Sequence, residues 1–141
     1  MRLVFRADAN STIGAGHVMR CAAIAEEAMA RGVETELVGS IFDIPWLKEK
    51  VTEGLFTYWR EPDAARKGAD DRLIIDSYQI DPNEEFIEPS NWLKTICLVD
   101  QETPFYKTDY YVGFLDKLDW PHSKDVSQSK IISSILNNPI R

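Results

Sequence analysis

The opening of the chain constrains its fold most strongly, because residues 2–38 have the pattern of a strand, a helix and a second strand. Residues 3–5 are a short apolar run, which is typical of a buried strand. Residues 16–31 place apolar side chains at spacings of three and four, as an amphipathic helix does. Gly32 predicts the end of that helix, and residues 33–38 predict the second strand. A unit of this kind joins parallel strands, which need a long crossover connection.

The rest of the chain continues the same alternation. A proline in the first turn starts a short helix predicted over residues 45–51. Apolar runs predict further strands at residues 55–59, 73–75, 96–99 and 110–115, and helical patterns occupy residues 84–92 and 123–136. Strands alternating with helices predict an α/β fold, a Rossmann-like doubly wound parallel sheet, in a single domain over residues 1–141.

The charge balance and the short apolar segments disfavour two classes of partner, nucleic acids and membranes. The chain has 16 basic and 23 acidic residues and a net charge of -7, whereas nucleic-acid binders usually present a basic face. No stretch reaches the ~20 apolar residues that span a bilayer, and no charged leader precedes a long apolar run. We therefore expect a cytoplasmic protein that binds neither nucleic acid nor membrane.

A glycine-rich segment leads from the first strand into the first helix and matches none of three common binding motifs. A Walker A loop would need a lysine that the segment lacks. The dinucleotide-binding motif would need a third glycine where Met19 stands. A calcium loop would need a glycine where Ile13 stands. The segment therefore predicts neither a nucleotide cofactor nor a bound calcium ion.

His17 and Arg20 are the chemically informative residues of this segment. They are three positions apart at the predicted start of the helix, so they share one face. A helix N-terminus attracts anions and favours an uncharged imidazole, and such an imidazole can take a proton from water near neutral pH. We expect an accessible His17 side chain if it acts as a base. The spacing of His17 and Arg20 alone is equally consistent with two exposed residues at a helix start that have no function.

Three segments together resemble one known family. They are Arg6-Ala-Asp8 with Gly14-Ala-Gly16-His17-Val-Met-Arg20-Cys, then Leu73-Ile-Ile-Asp76-Ser-Tyr78, and more weakly Ile96-Cys-Leu-Val-Asp100. Their order and spacing resemble the opening of the UDP-sugar hydrolases of pseudaminic acid biosynthesis and the related spore-coat polysaccharide proteins. The resemblance covers about residues 1–112, and residues 113–141 diverge from it.

The resemblance implies a fold and an activity. The family has the glycosyltransferase-B fold, in which two Rossmann-like domains face each other across a cleft, so this chain is expected to be equivalent to the N-terminal half. The implied reaction is hydrolysis of UDP-2,4-diacetamido-2,4,6-trideoxy-β-L-altropyranose to UDP and the free sugar. Because the resemblance covers only the N-terminal domain, the C-terminal nucleotide-binding domain is expected to be absent. We therefore expect a homodimer or a separately encoded C-terminal domain, with residues 105–114 and the predicted tail helix as the interface.

The resemblance also implies roles for individual residues. His17 would be the catalytic base that deprotonates the attacking water, and Tyr78 would line the sugar pocket. The other implied substrate-binding residues are Arg6, Asp8, Gly14, Gly16 and Arg20. Within that set, the glycines would let the backbone approach the diphosphate, Arg6 would support the loop, and Asp8 would contact a substrate hydroxyl. No cofactor and no metal is implied. Two alternatives stay open: a non-catalytic interaction module derived from the family, and a glycosyltransferase subunit.

Overall fold

The computed structural model describes residues 1–113 and 120–133. In this part of the chain, the strands are β1 (Arg2–Arg6), β2 (Ala9–Asn10), β3 (Glu34–Val38), β4 (Ile41–Phe42), β5 (Tyr58–Arg60), β6 (Gly68–Ile75), β7 (Trp92–Val99), β8 (Tyr110–Gly113) and β9 (Ile131–Ser133). The α-helices are α1 (Gly16–Ala30) and α2 (Pro45–Lys50). Strands β2 and β4 form a small sheet of their own beside the main one.

The main sheet is parallel throughout the described residues, with the order β5-β3-β1-β6-β7-β8-β9. The prediction of an α/β fold on a parallel sheet is confirmed. The order runs outward in one direction from β1 and in the other from β6, as in Rossmann-like folds. The crevice between the carboxyl ends of β1 and β6 is therefore the switch point at which such sheets bind ligands.

Helix α1 covers one face of the sheet. Its buried side chains, including Val18, Cys21 and Ala25, pack on Phe5 and Leu37 of the strands. Burying a large apolar side chain contributes about 1.5–3 kcal/mol, so this contact fixes the direction in which the start of α1 points. The predicted end of the helix is confirmed. Gly32 has φ 82° and donates its amide proton to the carbonyl of Met29.

The other face of the sheet differs from the prediction. The helix expected over residues 84–92 is wrong, because that segment forms two 3-10 turns, Glu85–Ile87 and Pro89–Asn91. Glu88 stands before a proline and takes φ -56°, ψ 124°, which interrupts any helix there. Loops and short turns thus cover this face, with the buried side chains of Ile80, Ile87, Tyr106 and Trp120 packed on it.

Two further elements are shifted. The strand expected over residues 55–59 begins only at Tyr58, because Val51–Leu55 forms a π-helical turn that is interrupted at Gly54, where φ is 117°. The tail helix expected over residues 123–136 is wrong for its described part. Residues there form 3-10 turns and the strand β9, which pairs with β8. Residues 134–136 lie outside the described residues, as do residues 114 and 115 of the strand predicted over residues 110–115.

The expected aromatic interface over residues 105–114 is also revised. Tyr106 and Tyr111 are buried against the chain's own sheet together with Trp120, whereas Phe105 is 40% exposed. The hydroxyl of Tyr106 donates to the carbonyl of Ile80, which anchors this segment internally. These aromatic side chains therefore belong mainly to the core. Phe114 lies outside the described residues.

Candidate functional site

The candidate site lies at the switch point between β1 and β6. His17 occupies the first turn of α1, as predicted, and Asp76 is the first residue after β6. The amide of Asp76 donates to the carbonyl of Arg6, which extends the pairing of β6 with β1 by one step. The end of β6 therefore places the carboxylate of Asp76 directly beneath the start of α1, which carries His17.

His17 and Asp76 are joined by a short hydrogen bond. The distance from His17 Nδ1 to Asp76 Oδ1 is 2.7 Å, and Asp76 is fully buried. A carboxylate only accepts hydrogen bonds, so Nδ1 is the donor, and in the neutral form of the ring Nε2 carries the lone pair. The expectation of an accessible His17 is wrong, because the residue is only 6% exposed. Its ring is held between Asp76 and the ring of Tyr78, with ring centroids 4.4 Å apart at 86°.

Arg20 holds the same carboxylate from the next turn of α1. Its Nε lies 2.7 Å from Asp76 Oδ2, and its Nη2 lies 2.6 Å from Asp76 Oδ1. The hydrogen bond to Asp76 raises the pKa of Arg20 despite partial burial. A planar guanidinium on both oxygens leaves Asp76 one orientation. Sequence reasoning did not select Asp76 as a site residue, although a single acid directly after an apolar strand was the available signal.

Tyr78 and Asp100 extend this network. The hydroxyl of Tyr78 donates to Asp100 Oδ2 at 2.5 Å, and Arg20 Nη1 lies 3.8 Å from the same oxygen. Desolvation and then this hydrogen bond raise the pKa of Tyr78 to about 12. Desolvation opposes ionisation of Asp100, but hydrogen bonds from Tyr78 and from the Glu102 amide lower the pKa of Asp100 on balance. Asp100 is the second site residue that sequence reasoning did not select.

The raised pKa of Tyr78 predicts a pH dependence of stability. A group whose pKa is raised on folding contributes stability below its unfolded pKa, about 10, and loses it as pH rises through the folded value of about 12. Tyr78→Phe keeps the ring against His17 and removes the hydroxyl. We expect wild type to be the more stable at neutral pH and the difference to shrink above pH about 10. Urea unfolding of both proteins between pH 8 and 12 measures it, and a constant difference would contradict the assignment.

A pocket of about 250 Å³ opens over these residues, lined by Ile13, Gly16, His17, Arg20 and Tyr78. Small-molecule sites usually enclose roughly 300–1,000 Å³. This pocket is smaller than that range, so it has the size of part of a site. The first turn of α1 begins beside it, with Ala15 at the N-cap and no side chain capping the turn. An anionic group placed there would meet the positive end of the helix.

The structure gives the two predicted glycines different surroundings. Gly14 has φ 78°, a conformation that favours glycine, and its amide donates to the carbonyl of Asn10 at 2.7 Å. A Cβ added to Gly16 would meet nothing within 4 Å. The turn therefore requires glycine at position 14, whereas the space beside position 16 is open toward the pocket.

Arg6 and Asp8 lie outside the pocket lining. Arg6 is 5% exposed and is held between two carboxylates, with Nη1 2.7 Å from Asp8 Oδ1 and Nε 2.9 Å from Glu84 Oε1. Asp8 also accepts the backbone amide of Ser40 at 2.8 Å. The structure thus brings together His17, Arg20, Gly16 and Tyr78, and places Arg6 and Asp8 in a neighbouring network.

Comparisons of the chain with protein-family models, with curated proteins and with solved structures find no match. Among residues 1–113 and 120–133, no three histidine, cysteine, aspartate or glutamate side chains are grouped so as to hold a metal ion. Within the same residues, no helix has the length and apolar character needed to cross a bilayer.

Proposed function

We propose that this chain is the N-terminal half of a UDP-sugar hydrolase of the glycosyltransferase-B type, in which His17 activates water. One observation carries the proposal: the buried carboxylate of Asp76 orients the imidazole at a pocket on the switch point of the sheet. A histidine oriented by a carboxylate is the arrangement of a general base. The resemblance of the segments around His17 and Tyr78 to the UDP-sugar hydrolases supports the substrate class.

In the proposed reaction, His17 Nε2 takes one proton from a water molecule. The water oxygen forms a bond to the anomeric carbon of the sugar, and the bond from that carbon to the diphosphate oxygen breaks. The electron pair leaves with UDP, so the products are UDP and the free diacetamido sugar. Asp76 stabilises the imidazolium that forms, and Arg20 keeps Asp76 in position. Tyr78 forms a wall of the sugar pocket.

The proposal includes a partner that completes the cleft. The pocket of about 250 Å³ is small for a sugar nucleotide, and correct positioning can supply ~7–11 kcal/mol of a reaction barrier. We propose that a second copy of the chain or a separately encoded C-terminal domain holds the UDP moiety. The reaction would take place in the cytoplasm.

Replacing His17 with asparagine tests the proposed base. We expect His17→Asn to lower UDP release from a UDP-linked diacetamido sugar by about 10²–10⁴, the usual contribution of a positioned base. UDP is measured by chromatography for the chain alone and for the chain mixed with a candidate C-terminal domain. His122→Asn is the matched control, since His122 lies in the 3-10 turn Pro121–Asp125 and outside the pocket. Equal rates for the two variants would contradict the proposal.

A non-catalytic binding module is the second candidate, and the site offers one observation in its favour. His17 is only 6% exposed, whereas a base has to reach the water that it deprotonates. Such a module would bind the UDP-sugar, with changes in the His17 resonances, and would release no UDP. A glycosyltransferase subunit would instead release UDP only when a sugar acceptor is added. The same chromatographic assay separates these cases.

A further inference from the structure

The carboxylate of Asp8 lies where three loops meet at the carboxyl edge of the sheet. Its Oδ1 accepts hydrogen bonds from Arg6 Nη1 at 2.7 Å and from the Ser40 amide at 2.8 Å. Its Oδ2 accepts from Gln79 Nε2 at 3.3 Å. These contacts connect the loops that follow β1, β3 and β6. Asp8 itself is partly buried, with 16% of its side chain exposed.

Gln79 connects Asp8 to the candidate site, because it is the neighbour of Tyr78 in the chain. Gln79 follows Tyr78, whose ring packs against His17. The turn is closed internally, because Ser77 Oγ accepts the amides of Gln79 and Ile80 at 3.0 Å and donates to Gln79 Oε1 at 3.1 Å. Asp8 therefore supplies a side-chain tie between this compact turn and the loop after β1.

Arg6 fixes the orientation of Asp8 from beneath. Two nitrogens of its guanidinium contact Glu84, Nε to Oε1 at 2.9 Å and Nη2 to Oε2 at 3.2 Å. A guanidinium held in this bidentate way has little freedom, and Arg6 is buried. The third nitrogen then presents a fixed donor to Asp8.

We propose that Asp8 is a positioning residue that ties the turn of residues 77–80 to the loop after β1 and so sets the placement of Tyr78 against His17. This assignment replaces the expected contact between Asp8 and a substrate hydroxyl. The placement of the two rings is a property of the protein alone, while its consequence for catalysis rests on the function proposed above.

A charge-exchange pair tests this role. Gln79→Glu sets a second carboxylate against Asp8 Oδ2, and we expect the resulting repulsion to release the turn. Adding Asp8→Asn removes one charge, and its amide can donate to the new glutamate, so the double variant restores the link. Gln79→Leu removes the hydrogen bond without adding a charge and gives a milder comparison. Gln128→Glu is the matched control, because Gln128 is exposed in the 3-10 turn Gln128–Lys130.

The readout is the imidazole resonances in histidine-labelled protein, which has only His17 and His122. We expect Gln79→Glu and, more weakly, Gln79→Leu to shift the His17 ring signals through the altered Tyr78 ring, with those of His122 unchanged. The double variant should return the His17 signals to their wild-type positions. Unchanged His17 signals in Gln79→Glu and Gln79→Leu would overturn the inference. So would His17 signals that stay shifted in the double variant Asp8→Asn with Gln79→Glu.

Turnover separates this inference from the proposed function. If wild type releases UDP, Gln79→Glu should lower kcat by up to about 100-fold, since small misplacements are costly, and the double variant should recover it. Loss of the proposed function would appear as no UDP release by wild type with any partner. The His17 signals would then still decide whether Asp8 positions Tyr78.

Discussion

Asp76→Asn should lower kcat/KM for UDP release by up to about 10⁴, the upper limit expected for loss of the base itself, with the chain still folded. The carboxylate accepts from His17 Nδ1 and so leaves Nε2 free to take a proton. An asparagine amide can instead donate to Nδ1, which places the ring proton on Nε2 and removes the base; such a change costs about this factor in histidine–aspartate pairs. The comparison is made with the chain and its candidate C-terminal domain.

Asp63→Asn is the matched control for that experiment, because Asp63 is exposed in the turn Pro62–Ala64 and takes no part in the pocket. Near-ultraviolet circular dichroism checks that both variants keep their packing. If Asp76→Asn turns over as fast as Asp63→Asn, then Asp76 does not orient the base.

Gly39→Ala should produce the largest loss of stability among the substitutions considered. A Cβ at this position would lie 1.6 Å from the carbonyl oxygen of Ala7 and 2.8 Å from its carbonyl carbon, both backbone atoms. The loop after β3 would have to move away from the loop after β1, which disrupts the bond from the Ala7 amide to the Val38 carbonyl. We expect the free energy of unfolding to fall by about 3 kcal/mol, the upper end of the usual cost of overpacking.

Urea unfolding measures this loss, with Gly16→Ala as the matched control. A Cβ at Gly16 meets no atom within 4 Å, and the residue is helical. Replacing such a glycine by alanine usually stabilises by about 0.4–1 kcal/mol. Similar unfolding midpoints for the two variants would show that the approach of the two loops is looser than described.

The sequence predicted the parts of the site that depend on local pattern. The period of the apolar residues located α1, and Gly32 located its end. Since a helix fixes which positions share a face, the neighbourhood of His17 and Arg20 followed from their spacing. The apolar runs also located β1, β3 and the C-terminal parts of β6 and β7, because buried parallel strands are apolar on both faces.

The contacts that complete the site could not be predicted, because they depend on which strands lie side by side. Asp76 is 59 residues from His17 in sequence, and the two meet only because β6 pairs with β1. The tail shows the same limit. Its apolar spacing also suits a helix, but pairing with β8 makes residues 131–133 a strand. The close approach of Gly39 to Ala7, where an added Cβ would lie 1.6 Å from the Ala7 carbonyl oxygen, likewise leaves no sign in the local pattern.

The nitrogen chemical shifts of the His17 imidazole at neutral pH test the central claim most directly. They report which ring nitrogen carries the proton, and the assignment is made by comparison with His122→Asn. We expect a protonated Nδ1 that donates to Asp76 and an unprotonated Nε2 facing the pocket, with the Nε2 signal changing when the UDP-linked diacetamido sugar is added. A protonated Nε2 with a bare Nδ1, insensitive to that sugar, would contradict the role of His17 as the base.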